Sequence, residues 1–136
     1  MSIVKADKKF ENGAPPDPKL MTAIGKLTEE MMKAGVLLDT GGLMPSAMGA
    51  RVFAKGGKVT VKDGPFTEAK ELIGGYAVMQ ARSKEEAVEL GRKFLQLHID
   101  VLGSDYEGEL EVRQMFDSMD CGPKGNGARP GPSIAA

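Results

Sequence analysis

Leu20, Ile24, Leu27 and Met31 recur at spacings of four, three and four, with Lys26, Glu29, Glu30 and Lys33 set among them. That period predicts an amphipathic helix whose charges lie mostly toward water. Asp17 is placed to cap its first turn, and Pro18 suits the first helical position, where no amide hydrogen is required. Gly35 ends it. A second apolar stripe, Ala87, Leu90, Gly91 and Phe94, follows Ser83 and Glu86, which together form a capping box, and it predicts a second helix.

Elsewhere the pattern shortens to a period of two. Val59 and Val61 alternate with Lys58, Thr60 and Lys62. With residues 50–54 across Gly56 and Gly57, they predict a β-hairpin with one polar face. Residues 73–81 are apolar on both sides, Tyr76 and Val78 pointing one way and Ala77 and Met79 the other, as expected of an interior strand. Residues 2–6 suit an opening strand, 36–38 lead into another, and 109–116 suit a closing one. Gly13, Pro15 and Pro16 make 11–17 a loop, and Gly41, Gly42, Pro45 and Gly49 predict another through the middle of the chain.

Strand, helix, strands, helix, strand is the order of an α+β, ferredoxin-like split β-α-β sandwich, an antiparallel sheet carrying both helices on one side. Its second face needs cover, and a second copy of the chain is the simplest, so a homodimer is expected. Stacked sheets from two subunits would also enclose a groove for a ligand. Residues 1–116 make the domain, and 117–136, crowded with glycine and proline, are expected to form a flexible tail.

Composition narrows the choice of partners. Eighteen Lys and Arg against 19 Asp and Glu leave no global field for a polyanion, so no nucleic-acid partner is expected. No apolar run is long enough for a bilayer, and Lys5, Asp7, Lys8 and Lys9 come early; neither a membrane partner nor a secreted protein is expected, and the cytoplasm is the expected compartment. One cysteine, Cys121, and one histidine, His98, allow neither an internal disulfide nor a zinc pattern. Glycines 41, 42, 56 and 57 lack the Lys-Ser/Thr of a nucleotide loop. No metal and no cofactor are expected.

The most distinctive string is Asp63-Gly64-Pro65-Phe66, a rigid corner between two predicted strands. Asp63 is the best acid-base candidate if it stands near a subunit groove; satisfied by backbone amides, it would be a turn residue instead. Arg51 and Arg113 lie in predicted strands, where they orient a ligand carboxylate or keep a sheet face soluble. Lys70 either binds an anion or pairs with Glu68 or Glu71. His98 is a packed or surface histidine, or a base served by a distant carboxylate, because Asp100 two residues away diverges from it on a helix.

Several strings are similar to the YCII-related family, in the branch named for its Asp-Gly-Pro-Phe motif. They are Lys5-Ala6-Asp7, Ala34-Gly35-Val36-Leu37, Gly41-Gly42-Leu43 with Pro45, Gly49-Ala50-Arg51-Val52, residues 61–75, and Glu111-Val112-Arg113-Gln114. The resemblance runs over about residues 2–116. It implies a ferredoxin-like protomer and a dimer whose sheets pack together, a dimeric α+β barrel, and it implies no settled reaction. Members of the broader family are proposed to use a histidine and an aspartate near the amino terminus; no histidine stands near Asp7, so that pair is not carried over. Residues 95–108 read as an extension after the second helix of more compact relatives.

Three functions fit these residues. One is binding of a small polar or anionic molecule by Arg51, Lys70 and Arg113 around an apolar groove. Another is cofactor-independent proton transfer or a lyase-like reaction, with Asp63 as base and an arginine stabilising negative charge. The third is a structural or interaction dimer, in which Phe66, Tyr76 and Val78 matter through packing. Convergence of polar side chains on a pocket separates the first two from the third.

Overall fold

A computed structural model describes residues 1–67 and 71–116. Lys70, Cys121 and the predicted tail lie outside the described residues. The Asp17 carboxylate accepts the Lys19 and Leu20 amides at 2.8 and 3.2 Å, and with Pro18 leading, it starts helix α2 (Pro18–Lys33). A one-turn helix, α1 (Lys8–Glu11), precedes it, capped by Asp7, which accepts from the Lys9 amide at 2.8 Å. This turn covers residues 8–10, to which the sequence assigns no element, and Glu11, the first residue of the predicted loop, because four residues are too few to display a helical period.

The four-stranded sheet is antiparallel in the order β2 (Leu37–Gly42), β5 (Ile73–Met79), β1 (Ser2–Lys5), β6 (Leu110–Val112). With α2 after β1 and α3 (Lys84–Leu102) after β5, this is the ferredoxin-like topology, and β5 is interior as its two apolar faces require. The hairpin β3 (Ala50–Lys55) and β4 (Lys58–Asp63) is inserted between β2 and β5 and turns at Gly56 and Gly57, both with positive φ.

Register sorts the side chains of the main sheet. Ser2 pairs with Ala77 and Val112, and Val4 with Gly75 and Leu110, so these residues share one face. Gly91 of α3 lies against that face: a Cβ there would stand 2.9 Å from Leu110 Cδ2 and 3.6 Å from Val112 Cγ2. Packing of α2 on α3 and β2, and of α3 on β6, places the helical layer. Ile3, Gly41, Tyr76 and Glu111 form a lane on the other face.

The structure differs from expectation in three further places. Strand β2 continues through Gly41 and Gly42, which read as loop residues, because Gly41 pairs with Tyr76 and the Tyr76 ring fills the space a side chain there would take. The segment after Phe94 is helix through Leu102, since Leu97, His98 and Val101 prolong the inward stripe. Strand β6 is three residues long, shorter than the predicted 109–116, and Phe116 is 81 % exposed beyond its end.

His98 is a core residue, 7 % exposed. Its Nδ1 is 2.8 Å from the Phe94 carbonyl, and its ring stacks on Tyr106 at 5.1 Å between centroids and tilts against Phe94 at 4.6 Å. Asp100 turns away and accepts from Gln96 at 2.9 Å.

Both tyrosines are held above the ordinary phenol value of 10.0. For Tyr76 the main cause is its hydrogen bond, donated to Asp39 Oδ2 at 3.2 Å, which ionisation would destroy. For Tyr106 it is burial first, then the charge of Asp7. Because the unfolded chain ionises first, folding stability falls as pH rises past about 10. We expect a spectrophotometric titration of the folded protein to show both phenols ionising later than those of the urea-unfolded chain, and Tyr76→Phe to remove one of the two late steps.

Candidate functional site

Short-range constraints bring the site together around Ser46, which opens a 3-10 turn (Ser46–Met48) after Pro45. Glu11, the last residue of α1, reaches it from 35 positions away. Both Glu11 carboxylate oxygens accept the Ser46 amide at 3.1 Å, and the Ser46 hydroxyl donates to Glu11 Oε1. The same hydroxyl oxygen accepts the Phe66 amide at 3.0 Å. Serine suits the position because one hydroxyl both donates and accepts.

The Asp63–Phe66 string closes on this turn. The Gly64 amide donates to the Gly49 carbonyl at 2.9 Å, while the Gly49 amide donates to the Ser46 carbonyl at 3.0 Å. Gly64 lies so close to Ser46 that a Cβ would fall 1.8 Å from the Ser46 carbonyl oxygen. Only glycine fits that approach. The Gly64–Pro65 peptide is cis, and the chain then presents Phe66 with its amide on Ser46. Arg51 of β3 lies over the exposed side of this corner, its guanidinium carbon 4.1 Å from the Phe66 ring centroid. Such a contact contributes about 0.5–1 kcal/mol at an exposed site, and it fixes the plane of the guanidinium while leaving its edge donors available.

An open cavity of about 450 Å³ results, within the size range of small-molecule sites. Leu43, Met44, Met48, Phe66, Leu72 and Ile73 provide apolar wall, and Glu11, Ser46, Arg51 and Glu71 provide the polar and charged groups. Leu72 is buried and Ile73 half-exposed, so the apolar wall runs from the core out to the mouth.

Of the candidate residues, Arg51 and Phe66 line this cavity, with Gly64 and Pro65 forming the corner that carries Phe66. Asp63 ends β4 opposite Ala50, exposed and outside the cavity wall. Arg113 follows β6, its guanidinium 3.9 Å from Glu111 and its backbone amide donating to the Met1 carbonyl at 2.9 Å; it too is outside the cavity. Burial lowers the pKa of the Met1 ammonium, which donates to the Arg113 carbonyl at 2.7 Å. Glu11 and Ser46 escaped the sequence reading as site residues, and Glu71 entered it only as a partner for Lys70. A signal for Glu11 was present in Asp7, a helix cap four residues upstream.

The YCII-related domain family matches residues 1–94, a span that contains every residue of the cavity wall. The chain belongs to the YCII-related family. This YCII-related chain is also similar to an uncharacterised protein of Rhizobium meliloti, 29 % identical over 76 residues, which is 56 % of this chain and 61 % of that relative. The aligned segment thus spans about three fifths of the relative's length. Among the described residues, no helix is long and apolar enough to cross a membrane.

Gly64→Ala tests the latch between motif and turn. The added methyl meets backbone, which cannot swing aside, so we expect a loss of about 1–3 kcal/mol, read as a lower urea midpoint at an unchanged slope. An unchanged midpoint would contradict the contact.

Proposed function

We propose that this YCII-related protein is a small-molecule binding protein of the Asp-Gly-Pro-Phe branch, taking a polar or anionic molecule into the Phe66 cavity and working as a homodimer. The observation that carries the reading is Arg51, whose guanidinium lies on the Phe66 ring at the wall of an otherwise largely apolar cavity. An oriented cation beside apolar surface suits a carboxylate attached to a hydrophobic body. Membership of the branch rests on the motif as it stands at residues 63–66 and on its role in shaping the cavity.

Two surfaces support the dimer. On the hairpin, Val52 pairs with Val61 and Ala54 with Val59, an apolar face whose three valines are 68, 66 and 71 % exposed in residue order 52, 61, 59. Its other face carries Arg51, Lys55, Lys58 and Lys62. On the main sheet, the Ile3–Tyr76 lane faces away from the helices. A second copy stacked there would cover apolar surface that a lone protomer leaves to water.

The proton-transfer reading assigns the base to Asp63, which stands outside the cavity wall, and among the described residues the carboxylates within it are Glu11 and Glu71. Capture of an anion in the cavity therefore depends on Arg51 and not on Asp63. With 4-methylpentanoate as the probe, we expect amide shifts at Ser46 and Phe66 in a nuclear magnetic resonance titration. Arg51→Gln should weaken binding about tenfold, the size of one charge-assisted contact, while Asp63→Asn changes it less than about twofold. Shifts confined to other surfaces would overturn the cavity reading. For the dimer, light scattering across micromolar concentrations should give twice the 14.4 kDa of the chain. A monomer throughout that range would overturn it.

A further inference from the structure

Arg51 is only one of the charges at the cavity. Two carboxylates, Glu11 and Glu71, line the same wall. A ligand that was simply an anion would place its charge against Arg51 while adding to the negative potential of both glutamates. A simple cation would face the reverse conflict. A ligand bearing both charges, each set beside its opposite, satisfies all three of these charges.

The separation of those charges is constrained by Phe66. Its ring supports Arg51, and its amide holds the Ser46 hydroxyl that in turn holds Glu11. The cation is thus tied to the Phe66 ring directly and the carboxylate to the Phe66 amide through Ser46, so the two are linked through one residue and a ligand bridging them carries both charges at one end. Glu11 retains capacity for such a ligand. Its hydrogen bonds from Ser46 come from neutral donors, and among the described residues it has no ion-pair partner, while a carboxylate offers about four acceptor positions. Beyond the charged end, Leu43, Met44, Met48 and Ile73 offer apolar surface, and the two methionines can adapt to side chains of different shape.

We infer that the cavity takes a zwitterion of α-amino-acid type with an apolar side chain, its carboxylate on Arg51 and its ammonium on Glu11 with Glu71. This inference rests on the cavity being a small-molecule site and names the class of molecule it selects.

Three probes of matched shape test it on the full chain: L-leucine, 4-methylpentanoate, which lacks the ammonium, and 3-methylbutylamine, which lacks the carboxylate. Dissociation constants are read from the Ser46 and Phe66 amide shifts. L-leucine should bind about tenfold more tightly than either analogue. Glu71→Gln, at an exposed position between β4 and β5, should weaken L-leucine and 3-methylbutylamine without weakening 4-methylpentanoate. If 4-methylpentanoate binds as tightly as L-leucine, the inference fails and the anion-binding reading stands. If 3-methylbutylamine matches L-leucine, the carboxylate contributes nothing and the inference fails. If none of the three moves those amides, the inference and the cavity reading fail together.

Discussion

Ser46 makes four hydrogen-bonding connections and one close approach: its amide and hydroxyl to Glu11, its hydroxyl oxygen to the Phe66 amide, its carbonyl to the Gly49 amide, and its carbonyl against Gly64. Three segments far apart in sequence are thereby fixed to one another, the end of α1, the turn before β3, and the corner after β4. The Ser46, Gly49, Gly64 and Phe66 amides and the Ser46 hydroxyl are each satisfied by another member of the set, so removal of one leaves a partner unpaired at a half-buried site, which costs about 1–3 kcal/mol. The cavity follows from this arrangement. Phe66 is its floor, Arg51 lies on Phe66, and Glu11 enters the wall because Ser46 holds it there.

The ferredoxin-like sheet sets the stage for that corner without forming it. Interior strand β5 begins at Ile73, next to β2, whose exit at Gly42 leads directly into Leu43 and the Ser46 turn. The hairpin leaves and returns at the same place, since Ala50 pairs with Asp63. Insertion of a hairpin between two neighbouring antiparallel strands therefore brings both of its ends to one end of the sheet, and the motif closes the gap between them. The packing on the helical side, with Gly91 against Leu110 and Val112 and His98 among Phe94 and Tyr106, lies on a separate part of the protein.

Much of the fold was legible because its signals are local. Asp17 with Pro18, Ser83 with Glu86, and Gly56 with Gly57 each act on residues within four positions, and each does in the structure what its chemistry predicts. Glu86 differs in one detail, its carboxylate accepting the Arg82 amide at 3.1 Å. Gly41 misled because glycine signals a break only where nothing else demands a small residue, and here the Tyr76 ring does, while Gly42 stays in the strand by pairing with Gly75. The site was less legible. Phe66 and Arg51 stood out by motif and by strand position, whereas the pairing of Glu11 with Ser46 spans 35 residues and leaves no periodic trace. A glutamate before a proline-rich stretch and a serine after a proline are both unremarkable until the turn brings them together.

The central claim is that Ser46 holds the motif, and the Phe66 amide reports on that bond directly. Its hydrogen exchange, followed by nuclear magnetic resonance in the native protein and in Ser46→Ala, isolates the contact from global stability when α2 amides are followed alongside. The account predicts a Phe66 amide that is protected in the native protein and exchanges much faster in the variant, with α2 protection lowered by no more than the overall loss of stability. A Phe66 amide that exchanges at the rate of an open chain in the native protein, or equally slowly in both, would contradict it.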